Sequence, residues 1–205
     1  LIINQDGTAV SIRDGATMTM SCGKIADNKG AGIMVKGKGS SFTQEGGVIE
    51  LNTGIGVSIS NGAQMTMNDG VVGRNNSYGI LVDGTDSKLT LNQRKYISDM
   101  EIYPEVFNNH KAGVGLKNGA HMEMSGGSIK YNWEKGVQID TGSSLTLSGG
   151  SVELNYTGGV RLDHGSKLVL EKRGGISANS GPGIIIDGKS SMTMTGGAVS
   201  FNRAG

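Results

Sequence analysis

Apolar and polar residues alternate in short runs along this chain, and no stretch adopts helical spacing. The pattern is clearest from Met122 to Gly159, where MEM, GGSI, N, G and VQI are followed by LTL, GGSV, N and G, and then by VRL. Alternation with period two directs every other side chain to one face, so each run predicts a strand. The first strand of a unit reads VSI at Val57, VQI at Val137 and VRL at Val160. The second reads MTM at Met18, Met65 and Met192, MEM at Met122, LTL at Leu89 and Leu145, and LVL at Leu168. A third, shorter strand carries one inward aliphatic: Ile25, Ile49, Val72, Ile129, Val152, Ile176 or Val199.

An asparagine closes every unit. Asn28, Asn52, Asn75, Asn109, Asn132, Asn155, Asn179 and Asn202 are spaced by 24, 23, 34, 23, 23, 24 and 23 residues. A glycine follows four residues later in seven units: Gly32, Gly56, Gly79, Gly113, Gly136, Gly159 and Gly183. Strands this short cannot pair within their own unit, so each must pair with its counterpart one unit along. The prediction is an all-β parallel β-helix of about eight coils of 23–24 residues with three short strands per coil. Coils stacked about 4.8 Å apart give a rod roughly 40 Å long. DG, NG, TG and HG after the first strand, and GG after the second, supply the positive φ that corners require. The repeated Asn is expected to point inward, bonding its own turn and its stacked neighbours.

Composition narrows the picture. A chain of 205 residues with one uninterrupted repeat suits a single domain, residues 1–205, with a core of Val, Ile, Leu and Met. The 36 glycines lack a three-residue period, so turns rather than collagen explain them. A net charge of +1 predicts no field that would draw nucleic acid or an anionic membrane, and no apolar run is long enough to insert in a bilayer. Cys22 is the single cysteine, so an internal disulfide is excluded, and its place at a turn reads as a small half-buried residue. The repeat is already under way at Leu1 and breaks off after Asn202, as in a segment of a longer solenoid whose flanks contribute to function.

The phrase GG-x-I-x-x-N-x-x-x-G-V-x-I with MTM or LTL strands resembles the passenger domains of bacterial autotransporters, and its wording is most similar to Bartonella passengers. The resemblance covers nearly the whole chain. It implies a right-handed β-helix exported through a C-terminal barrel to the cell surface or the medium, and the scarcity of cysteine suits a chain that crosses the outer membrane unfolded. It further implies a host cell-surface protein or receptor as partner, with an adhesin or effector role. Its narrowest form is a pro-angiogenic ligand of an endothelial growth-factor receptor.

Candidate chemistry lies where the repeat is broken. Asn92 to Asn109 is an insertion holding Tyr96, Tyr103 and Phe107, and such a loop either packs on the rod or meets a partner. The residues after three successive ladder positions are His110, Trp133 and Tyr156, which should stack on one exposed corner near Tyr131, Glu134 and Lys135. Tyr and Trp anchor interfaces, although such a stack also serves to cover a coil edge. An outward row, Thr19, Thr66, Thr90, Thr146 and Thr193, is interrupted by Glu123 and Val169 and reads as ordinary sheet packing. The alternative function is a polysaccharide lyase or hydrolase using Asp140, Asp163 and Asp187 with Arg161 and His164 on one sheet face. Carboxylates one coil apart suit Ca²⁺ or split pKa values, but each Asp also sits where a turn former is wanted. No metal-ligand spacing, phosphate loop or nucleophile elbow is present, and His110, His121 and His164 fall in different parts of the coil, so neither metal nor cofactor is expected.

Overall fold

A computed structural model describes residues 1–93, 95–97 and 100–203, with side chains for all of these except 95–97 and 100–102. The chain winds as a parallel β-helix. Its first sheet stacks eight strands: Val10–Arg13, Ile33–Lys36, Val57–Ser60, Ile80–Asp83, Val114–Lys117, Lys135–Ile139, Gly158–Leu162 and Ile184–Ile186. Adjacent members are parallel and in register by whole coils, as in the column Ile33, Val57, Ile80, Val114, Val137 and Val160. The coils are numbered one to eight by the ladder Asn that closes each.

The second and third strands belong to one 13-stranded sheet folded around a glycine bend. In coils two, three, six and seven they are continuous, as Ser41–Glu50, Gln64–Gly73, Ser144–Glu153 and Lys167–Ser177. The expectation of three separate strands therefore holds only for the other coils. The bend turns the chain through a bulge: the register slips between Leu147 and Gly149 and the ladder then resumes, with Gly149 and Gly150 paired to Arg173 and Gly174.

The inward rows form one core that runs the length of the rod, from Ile12 and Ile25 through Met65, Leu89 and Met122 to Leu168 and Ile176. One inward position breaks the apolar rule. Gln44 stands between Met20 and Met67, fully buried, with its Oε1 unpaired.

The ladder asparagines from Asn28 to Asn179 have no exposed surface. From Asn52 onward each Oδ1 accepts two bonds from the coil before it, whereas Asn28 Oδ1 accepts the Gln5 backbone N–H at 3.0 Å. Asn132 Oδ1 takes the Asn109 backbone N–H and Nδ2 at 3.0 Å each, and Asn155 Oδ1 takes those of Asn132 at 3.0 and 2.9 Å. The same Nδ2 also reaches the carbonyl two residues back, as in Asn132 to Lys130 at 3.1 Å. The glycine four residues on is required by this column: a Cβ on Gly56 would lie 2.6 Å from Asn75 Nδ2 and 2.6 Å from the Gly79 carbonyl.

Three features are not visible in the repeat phrase. The residue before each ladder Asn is left-handed whatever its type, including Leu51, Tyr131, Leu154 and Phe201 with φ of 55–57°. A second ladder runs up the corner after the first strand. Ser40 Oγ accepts from Gly15 N, Ser87 Oγ from Gly62 N, and Ser143 Oγ from Ala120 N, at 3.0–3.1 Å. Tyr78 lies across the outside of the first sheet against Gly115, where a Cβ would meet its ring at 2.9 Å.

The insertion is shorter than Asn92 to Asn109. Glu105–Phe107 is the regular third strand of coil four, with Val106 inward in the column Val72, Val106, Ile129. Burial of that valine forces the register, and Asn108 and Asn109 then form the usual corner. The extra residues emerge at the glycine bend. There Lys95–Ile97 pairs antiparallel with Met100–Ile102 as a hairpin outside both large sheets.

A candidate partner-binding corner

The corner after Asn109, Asn132 and Asn155 follows from the ladder. Because each Asn is clamped inward, the next side chain projects outward at the same height in every coil. His110 and Trp133 rings lie 4.8 Å apart at 40°, and Trp133 and Tyr156 lie 6.1 Å apart at 33°. Trp133 is 55% exposed and Tyr156 62%, so the stack covers little of the rod beneath it. Trp133 Nε1 donates to Asn108 Oδ1 at 3.3 Å, fixing the indole in the stack.

Tyr131 and Leu154 flank the stack from the left-handed row on the other side of the ladder, 46% and 37% exposed. Leu154 was missed in the sequence because nothing in its composition marks the residue before the ladder Asn as outward. Five apolar or aromatic side chains therefore gather over three coils. Glu134 beside them is exposed. Lys135 is half-buried and donates to the Thr157 carbonyl and hydroxyl at 2.7 Å each. Burial, and then the nearby Arg161 cation, hold its amine below the ordinary lysine range.

The other aromatics do not join this surface as a group. Phe107 is half-buried on its strand, with the Arg74 guanidinium 5.2 Å from its ring centre, and its ring leaves no room for a Cβ on Gly73. Tyr103 overhangs a groove at the glycine bends of the next coils. The Tyr96 side chain lies outside the described residues.

Asp140, Asp163 and Asp187 do fall in successive coils on one face, but Arg161 and His164 engage them. Arg161 Nε donates to Asp163 Oδ2 at 2.5 Å, and its Nη2 bridges to Asp163 at 3.2 Å and Asp187 at 3.0 Å. His164 Nδ1 lies 2.7 Å from Asp140 Oδ1. Burial raises the Asp140 carboxyl, but hydrogen bonds from His164 and Thr141 outweigh it and leave the group below its usual range. The Asp163 carboxylate in turn raises Arg161. His164 and Thr141 have φ of 51° and 50°, each followed by a glycine of positive φ, so these corners do use the turn chemistry of their sequences. Among the described residues no group of three His, Cys, Asp or Glu side chains is placed to hold a metal. The result is a belt whose carboxylates are engaged by Arg161 and His164, with Asp140 held low, unlike a raised general acid beside a free base.

A search among curated proteins found no match to the chain. A family profile described as a right handed beta helix region matches it twice, over residues 1–96 and 94–205, the two matches meeting inside the coil-four insertion. Together with the stacked parallel coils, these matches show that the chain belongs to the right-handed β-helix family.

Proposed function

We propose that this β-helix is an exported passenger that binds a host cell-surface protein, as an adhesin or effector, through the corner built by His110, Trp133 and Tyr156. The observation that carries this reading is the exposed aromatic stack itself. Trp133 and Tyr156 would each bury a large apolar area against a partner while contributing little to the rod's own core. Tyr131 and Leu154 widen the patch, and the ladder beneath holds it rigid, which lowers the entropy lost on docking. Export across an outer membrane suits a chain whose single cysteine forms no disulfide.

The test is capture from intact host-cell surfaces by the purified rod, comparing wild type with Trp133→Ala/Tyr156→Ala and with a hairpin deletion confined to 94–102. Removing 96–107 would also remove Val106 from the core and is not informative. Loss of two anchors should weaken binding at least about 30-fold, with the far-ultraviolet spectrum and melting temperature retained. Full binding by the double variant would refute the corner. Lost binding in the hairpin deletion alone would move the site to the insertion.

A further inference from the structure

The coil-four insertion leaves the rod at the glycine bend and creates a groove there of about 480 Å³. Its wall on the coil-four side includes Tyr103. Its floor is Gly126 and Gly127 of coil five and Gly149 and Gly150 of coil six, and Arg173 of coil seven closes the far side. Lys130 and the serines at 125, 128 and 151 complete most of the lining.

Donors predominate in this groove. Gly126 is buried, and neither its N–H nor that of Gly127 has an acceptor among the described residues. Both residues line the groove, so these N–H groups are available to a group that enters it. Gly127 and Gly150 have φ of 83° and 82°, and successive N–H groups at turns containing a left-handed residue form concavities that hold anions. The Arg173 guanidinium also has no ion-pair or hydrogen-bond partner among the described residues. Two acidic groups are nearby, and both are engaged. Glu105 accepts from Lys130 Nζ at 2.6 Å, and Glu153 Oε1 faces the hydroxyls of Ser128 and Ser151 at 3.4 and 3.0 Å. Arg173 registers with Gly149 at the bend, whereas Glu153 lies four residues further on, at the end of the strand beyond it. The arginine end of the groove is thus separated from the carboxylate end.

We propose that this groove is an oxyanion site, taking a sulfate or phosphate group between the Gly126–Gly127 amides and the Arg173 guanidinium. A cation would face the arginine. The site is independent of the aromatic corner and does not depend on the identity of the partner bound there.

The experiment is amide-resolved NMR of the whole chain titrated with sodium sulfate and, separately, sodium phosphate, each against sodium chloride at equal ionic strength. Saturable shifts centred on Gly126 and Gly127 are expected with one or both anions, and the stronger of the two identifies the source. Arg173→Gln, at an exposed position that leaves the coil intact, should weaken the response about tenfold or more, and Arg173→Lys should restore part of it. Shifts no larger than those in chloride, or an undiminished response in Arg173→Gln, would overturn the proposal.

Discussion

Replacing Asn132 with Ala tests the interior ladder at one rung. The substitution removes the acceptor of the Asn109 N–H and Nδ2 and the donor to Asn155 Oδ1, Lys130 O and Val106 O. Not all of these groups become orphans. Asn109 Nδ2 keeps Phe107 O at 3.1 Å, and Asn155 Oδ1 keeps the backbone N–H of residue 132 at 3.0 Å. The Asn109 N–H is fully buried and left with nothing. That orphan costs about 1–3 kcal/mol, and the lost amide bonds and the cavity add roughly 2 more. The total, about 3–5 kcal/mol, is a large share of a typical folding free energy. For a chain of this size it lowers the melting temperature by roughly 10 °C. Asn202→Ala is the internal comparison: its Oδ1 accepts the same pair from Asn179, but among the described residues its own Nδ2 reaches only Ile176 O, and it is half-buried, so water can replace it. Thermal unfolding followed by far-ultraviolet circular dichroism should show the interior variant falling well below the terminal one. Equal melting temperatures for Asn132→Ala and wild type would refute the view that the column is a buried, fully committed network.

Other consequences follow from single residues. Gln44 donates to Gly47 O at 3.2 Å and Val71 O at 3.4 Å but leaves Oε1 orphaned among methionines. Gln44→Met should therefore stabilise by about 1 kcal/mol, seen as a higher denaturant midpoint; a lower midpoint would mean that the two amide bonds outweigh the orphan. Leu51 is 44% exposed at φ 57°, a conformation that asparagine tolerates better, so Leu51→Asn should raise stability by about 1 kcal/mol in the same assay, and no gain would count against strain at that row. Burial raises the Glu50 pKa, but Lys24 and Arg74, each at 2.8 Å, pull it below the ordinary glutamate value. Its stabilising effect is present above that ordinary value and is lost as pH falls through the lowered one. Glu50→Gln should flatten this part of the acid limb, and identical acid-unfolding curves would show that the pair contributes nothing.

Much of this architecture was legible because stacking copies a sequence position into a spatial column. Asn and Gly at fixed offsets gave the register, and His110, Trp133 and Tyr156 were adjacent as soon as the coils were aligned. Where the offset was lost, so was the reading. The eleven-residue excess between Asn75 and Asn109 hid Val106 as the inward aliphatic and made Phe107 look like part of the loop. The serine ladder was overlooked because Ser40, Ser87 and Ser143 sit at turns, where serine is common for purely local reasons. The fate of Asp140, Asp163 and Asp187 depended on the reach of Arg161 and His164, which spacing alone does not report. The groove at the bends depends on backbone donors, which have no letter in the sequence.

The inward asparagines also have a consequence for making this protein. Two of them, Asn75 and Asn155, begin the acceptor triplets Asn75-Asn76-Ser77 and Asn155-Tyr156-Thr157, and both are sealed inside the rod. A eukaryotic secretory pathway would offer each to its oligosaccharide transferase while the chain is still unfolded. A sugar attached there has no space in the column, so that coil could not close. Bacterial expression avoids this outcome, as would replacing Ser77 and Thr157 with alanine before secretion from animal cells.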